Sequence, residues 1–202
     1  MNRPLILAST SRYRRELLGM LRVPFTCVDS EFDERAHDHR FQDLGPIDFA
    51  ILMAVGKASA TREKVSWGSV ILAADQVVSM PLSEGGYHQF HKPGTPENAV
   101  RDLILLSGKE FTSTTAICII DTNSGHRITD WTQDRVTMRK FSLEEAEAYV
   151  RECAPLDCAG SYRISDGLSL FADIRTHDWY GLQGMPMLRI LEMLRSMGVL
   201  PE

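Results

Sequence analysis

Apolar residues recur along the chain in short blocks, and the blocks alternate between a strand-like and a helix-like period. Residues 5–8 form a brief continuous apolar run. Ser9-Thr10-Ser11 follows, then leucines at 17, 18 and 21, a helical spacing for which Ser11 is the expected N-cap. Residues 25–28 read as a second strand, and the acidic, irregular stretch 29–45 as a loop. A helix is expected to begin at Pro46 and to bury Phe49, Leu52, Met53 and Ala60. Residues 69–74 (SVILAA) are a continuous apolar run of strand length, suited to a strand covered on both faces and ending at Asp75.

The second half is punctuated more clearly. Glu84-Gly85-Gly86-Tyr87 predicts a hairpin turn. Thr95-Pro96-Glu97 predicts a helix start, and Gly108 its end. Two long alternating segments, 110–121 and 126–140, read as strands joined at Thr122-Asn123-Ser124-Gly125. Ser142-Leu143-Glu144-Glu145 is a capping box opening another helix, and a last helix starts at Pro186 with Leu188, Ile190, Leu191 and Leu194 apolar. Strands alternating with helices, with one antiparallel hairpin, give a mixed α/β (α+β) protein: a mixed, partly antiparallel sheet flanked by helices.

Composition narrows the class. The 202 residues are 44% hydrophobic and 24% charged, as in an ordinary soluble globular protein, and fit one domain or two lobes sharing a core. With 22 basic and 27 acidic residues the net charge is −5, which disfavours a general nucleic-acid face. No apolar run approaches the ~20 residues of a membrane span, and the amino-terminal apolar stretch is short for a signal peptide. A cytoplasmic protein is the expectation. Cys27, Cys118, Cys153 and Cys158 form no CxxC pair and no zinc spacing, so they read as reduced thiols buried in the core.

Three groups of residues carry candidate chemistry. Ser9, Ser11 and Arg14 stand where a strand turns into a helix, and a helix N-terminus with hydroxyls and arginines binds anions. Arginines oppose the helix dipole at that end unless a phosphate arrives to meet them. Asp75-Gln76 stands at the expected carboxyl end of the apolar strand, where ligands bind in open α/β sheets. A carboxylate there can hold Mg²⁺ or activate water. Asp33-Glu34, Lys57 and Lys92 add further acids and cations, a set suited to a polyphosphate and a divalent metal.

In their order and spacing these blocks resemble the Maf-type nucleoside triphosphate pyrophosphatases, and within them the branch that hydrolyses 7-methyl-GTP. The matching segments are Ser9-Thr10-Ser11-Arg12-Tyr13-Arg14-Arg15-Glu16-Leu17-Leu18, Asp33-Glu34, Lys57-Ala58, Ala73-Ala74-Asp75-Gln76, His91-Lys92-Pro93, Ser107-Gly108-Lys109, Leu156-Asp157-Cys158-Ala159-Gly160-Ser161-Tyr162 and Gly184-Met185-Pro186. The chain departs from the family pattern at Arg12, His91 and Thr114-Thr115, and Ser165-Asp166 stand where the family has Gln or Glu before Gly167.

The resemblance implies an elongated Maf/ITPase-like fold, a single domain over 1–202 with two lobes around a central cleft. It implies hydrolysis of a nucleotide to its monophosphate plus pyrophosphate with Mg²⁺ or Mn²⁺, and a homodimer. Asp75, Glu34, Lys57 and Lys92 match catalytic positions, with Asp75 and Glu34 as metal ligands. Ser9, Ser11, Tyr13, Arg14, Gln76, Ser165 and Asp166 match substrate-binding positions. Tyr13 and Gln76 point to the methylated guanine, on which an aromatic ring can stack. UTP or dTTP in the same reaction, and a regulatory nucleotide-binding protein linked to septum formation without turnover, are the alternative readings.

Overall fold

The protein is described here by a computed structural model over residues 3–201; Met1 and Asn2 of the amino-terminal stretch, and Glu202, lie outside the described residues. Strands and helices run β1 (Leu5–Leu7), α1 (Arg12–Gly19), β2 (Phe25–Cys27), α2 (Phe41–Arg62), β3 (Val70–Pro81), β4 (Tyr87–Phe90), α3 (Pro96–Leu106), β5 (Glu110–Asp121), β6 (Arg127–Met138), α4 (Leu143–Cys153), β7 (Phe171–Arg175) and α5 (Met187–Ser196). The seven strands form one sheet in the order β2-β1-β3-β5-β6-β7, with β4 paired to β3. β1 runs parallel to β2 and β3, whereas β3–β4 and β6–β7 are antiparallel, so the expected mixed α/β sheet is present.

Along the chain the residues divide into two compact units. The first holds Met1–Gln76, Thr115–Thr132 and Asp178–Glu202, and the second Val77–Thr114 and Gln133–His177. In the first unit, Leu5 and Leu7 of β1, Leu17 and Leu18 of α1, Leu72 and Ala74 of β3, Ile117 and Ile119 of β5 and Ile190 and Leu194 of α5 form one buried cluster. In the second, Leu103 and Leu106 of α3 and Ala146 and Val150 of α4 are buried, and Tyr162 meets Phe111 and Phe171 edge-on at 5.4 and 5.5 Å.

Local signals account for most boundaries. The Thr95 hydroxyl caps α3 by accepting the Asn98 N–H, and Pro96 occupies its first turn. Ser142 and Glu145 make the reciprocal capping box of α4. Gly108 follows α3 at φ 72°, a left-handed conformation that glycine adopts without strain. Gly45 (φ 70°, ψ 174°) breaks the helical path, and the regular part of α2 runs from Pro46.

Four expectations need correction. Residues 29–45 are not all loop, because Arg35–Arg40 form a 3₁₀ turn that leads into the first turn of α2. β3 does not stop at Ala74 but continues to Pro81, since its far end pairs with β4 from Val78 to Pro81. Leu188 faces outward, and Met187, Ile190, Met193 and Leu194 form the buried stripe of α5. The cysteines are unpaired, yet only Cys118 is fully buried; burial pushes its thiol up to about 12. Among the described residues, no helix is long and apolar enough to cross a membrane.

Candidate active site

The candidate acid lies inside a strand rather than at its end. Asp75 is in the interior of β3, and only 6% of it is exposed. Its neighbour β1 pairs with β3 only as far as Leu7 opposite Leu72, after which the chain turns off at Ala8-Ser9 into α1. Asp75 is therefore past the end of one parallel neighbour while still held by its own strand. This is a local version of the strand-end position at which α/β sheets bind ligands.

A carboxylate buried this deeply needs a cation, and α2 supplies it. The buried face of α2 runs through Phe49, Ala50, Met53, Ala54, Lys57, Ala58 and Thr61, so Lys57 occupies a core position by helical spacing. Its ammonium donates to Asp75 Oδ1 at 2.5 Å and to Glu34 Oε1 at 2.9 Å. Glu34 differs from the other two in exposure: about half of its side-chain surface (53%) is open to solvent. Burial raises the Asp75 pKa above the usual aspartate range, Lys57 and the Arg14 guanidinium pull it down, and Glu34 pushes it up.

Arg14 comes from the first turn of α1. Arg12 beside it is spent on an exposed i,i+4 pair with Glu16 at 2.7 Å, whereas Arg14 is half-buried and acts on Asp75. Ser11 is the N-cap of α1, as expected, but its side chain caps nothing; the Ser9 hydroxyl instead accepts the Ser11 N–H at 3.1 Å. Tyr13 is exposed on the same turn.

Gln76 faces a second wall. Its amide donates to the Gly181 and Leu182 carbonyls at 3.1 and 3.2 Å and to the Thr115 hydroxyl at 3.3 Å, and Thr115 itself donates to Gly181 O. A Cβ at Gly184 would lie 3.5 Å from Gln76 Oε1 and 3.6 Å from the Arg14 guanidinium, so this glycine borders both side chains. Buried Asp178 shapes this loop by accepting the Tyr180 N–H at 3.0 Å and the Leu188 N–H, at the start of α5, at 2.7 Å. Sequence reasoning passed over Thr115 as a contact and Asp178 altogether. The Leu188 N–H that Asp178 caps is ten positions away, outside any capping pattern.

The structure thus brings together Asp75, Lys57 and Glu34, with Arg14 acting on the same carboxylate and bordering Gln76 at Gly184, all within the first unit. Lys92, Ser165 and Asp166 belong to the second unit. Lys92 is exposed between β4 and α3. Asp166 accepts from Arg163 Nη1 at 3.0 Å and from the Tyr149 hydroxyl at 3.3 Å, and Ser165 beside it is exposed.

For a divalent metal, the chain offers two carboxylates. Asp75 and Glu34 each give one oxygen to Lys57, and no cluster of three or more His, Cys, Asp or Glu able to hold a metal occurs among the described residues. One or two carboxylates completed by substrate phosphates is the usual donor set of Mg²⁺, so these residues fit such an ion.

Comparison with known proteins agrees with the motif order. The family model for Maf-like proteins matches residues 4–197. The 7-methyl-GTP pyrophosphatase of Pseudomonas fluorescens (strain Pf0-1) is 36% identical over 197 residues, covering 97% of both chains. That of Pseudomonas putida (strain KT2440) is 35% identical over 202 residues, covering 98% of both. Among solved structures, the Staphylococcus aureus Ham1 protein aligns with a TM-score of 0.49 at 11% identity, over 96% of this chain and 99% of that one. A family match and relatives that each span almost the whole chain lead to one conclusion: this chain belongs to the Maf-like proteins.

Proposed function

We propose that this protein is a nucleotide pyrophosphatase that hydrolyses 7-methyl-GTP to 7-methyl-GMP and pyrophosphate. The observation that carries the chemistry is the buried Lys57 ammonium holding Asp75 and Glu34, with Arg14 acting on the same acid. The substrate is taken from what the relatives are named for.

In this reading a water oxygen attacks the α-phosphorus. The bond from that phosphorus to the α–β bridging oxygen breaks, and pyrophosphate leaves with the electron pair. Asp75 accepts the proton of the attacking water; burial makes it a stronger base than a solvated aspartate. Glu34 orients the water, and Lys57 and Arg14 offset charge on the phosphates, where electrostatic stabilisation dominates phosphoryl transfer. Asp75 and Glu34 would hold Mg²⁺ or Mn²⁺, which when bound would neutralise phosphate charge and acidify water. The exposed ring of Tyr13 offers a face to the cationic methylated base. Gln76, through its bonds to Gly181 and Leu182, sets the wall beside that ring's helix. Ser9 and Ser11 are assigned to the phosphates, as is Lys92; Lys92, Ser165 and Asp166 are assigned to substrate on the motif match alone. A cytoplasmic homodimer is the assembly this reading carries with it.

The test is pyrophosphate release with Mg²⁺ or Mn²⁺ across 7-methyl-GTP, GTP, UTP, dTTP, CTP and ATP. Selective turnover of 7-methyl-GTP is expected, with Asp75→Asn lowering kcat about 10²-fold or more, the usual worth of a general base. Preferred turnover of UTP or dTTP would overturn the substrate. Near wild-type turnover by Asp75→Asn would overturn the role of the acid, and no release by folded protein would overturn the reaction.

A further inference from the structure

Glu34 presents a mechanical problem. It immediately precedes an exposed 3₁₀ turn, Arg35–Arg40, in which no residue is buried, yet its carboxylate reaches an ammonium in the core. A salt bridge with one end this exposed contributes little, because water screens it. Ordering the backbone of several residues costs more than such a bridge returns, so the bridge cannot by itself hold the segment in place.

The missing support comes from the residues beside the pair. Phe32, two positions before Glu34, inserts the far edge of its ring into the space where a side chain at Gly56 would stand. A Cβ built on Gly56 would fall against Phe32 Cζ, and 2.5 and 2.7 Å from Cε2 and Cε1, closer than carbon atoms approach. Gly56 immediately precedes Lys57. His37, within the 3₁₀ turn, stacks on the Phe32 ring with centroids 5.1 Å apart and planes 14° from parallel. Upstream, Lys64 just beyond α2 donates to the Asp29 carbonyl at 3.0 Å and to the Glu31 carboxylate at 2.5 Å. Glycine inside a helix is less favourable than alanine, so α2 carries an unfavourable residue where the ring enters.

We infer that Phe32 and Gly56 form a ring-in-notch lock that positions Glu34 on Lys57, so both are positioning residues for the reaction proposed above. The inference rests on the reading of Glu34 as part of that reaction, and it has a readout independent of it. Arg35 and Arg40 are trypsin sites within the held segment.

The experiment compares wild type, Gly56→Ala, Phe32→Ala, Glu34→Gln and the two double variants with Glu34→Gln. It measures melting temperature, kcat, KM and the rate of native-state trypsin cleavage after Arg35 and Arg40. Gly56→Ala is expected to keep or raise the melting temperature, because alanine favours the helix, while evicting the ring. Both Gly56→Ala and Phe32→Ala should speed cleavage at the two arginines about tenfold, as a locally opened segment does. Both should lower kcat to the level of Glu34→Gln, and neither should lower it further in the Glu34→Gln background.

Wild-type kcat in Gly56→Ala, losses that multiply with Glu34→Gln, or unchanged cleavage would each overturn the lock. Melting lowered in both variants in step with activity would also overturn it, since Phe32 would then be a general support of the core. If wild type turns over no nucleotide, the proposed reaction fails and the cleavage rates alone decide: faster in both variants keeps the lock, unchanged removes it.

Discussion

Lys57 is a cation on the apolar face of a helix, and it is tolerated there because two carboxylates meet it. Removing one partner of a buried ion pair costs about 3–5 kcal/mol, because the other charge is left desolvated. Lys57→Met should therefore lower the urea midpoint at neutral pH by a corresponding amount. The pH dependence has a definite sign. Asp75 has a folded-state pKa above its ordinary 3.8, so the folded state binds more protons, and stability declines as pH rises from 3.8 through the raised value. Urea titrations in metal-free buffer should show the stability of wild type, measured relative to Asp75→Asn, declining over that window, and that of Lys57→Met declining further. A Lys57→Met protein as stable at neutral pH as at pH 4 would contradict this account. Of these residues, the sequence names Asp75, Lys57, Glu34 and Arg14 as chemistry. It does not show that Lys57 holds both acids, because a lysine among alanines looks the same whether it reaches solvent or a carboxylate 18 positions on.

Helix starts are the most readable elements, because their signals are local. Thr95-Pro96, Pro46 and the Ser142/Glu145 box all stand where the sequence puts them. Ser142→Ala should cost about 1 kcal/mol, the usual worth of an N-cap, seen as a melting temperature lower by a few degrees with kcat unchanged. The end of β3 was misread for the opposite reason. Its apolar run stops at Ala74, and a charged residue inside a central strand is too costly unless paired; that pairing comes from the preceding helix, 18 positions back, beyond the reach of any local pattern. The 3₁₀ turn at Arg35–Arg40 is also hidden, since its charged residues carry no apolar period and the ring that supports it, Phe32, lies outside the turn.

At the level of the whole chain, strand and helix alternation fixed the mixed α/β class, while the order β2-β1-β3-β5-β6-β7 was beyond reach of periodicity. Pairing partners depend on which apolar faces meet, and every block of leucine, isoleucine and valine looks alike in that respect. The first compact unit draws on three separated stretches, the last of them Asp178–Glu202. Its helix α5 buries Met187, Ile190, Met193 and Leu194. At about 1.5–3 kcal/mol each, these four side chains contribute roughly 6–12 kcal/mol, comparable to the entire stability of a typical domain. A chain ending at His177 should lose its cooperative urea transition by circular dichroism; a sharp transition with a native-like midpoint would refute this.

The place of Asp75 within β3 has a consequence for how the protein responds to warmth. A residue in the interior of a strand leaves its position only when the strand itself opens, whereas Glu34 rides on an exposed turn that is released once the Phe32 ring leaves its notch, with the sheet intact. The two carboxylates therefore keep different clocks. As temperature climbs, the outer one comes loose while the inner one is still fixed. Catalysis would then fade over a broad range below the melting point and return on cooling, long before the sheet is disturbed.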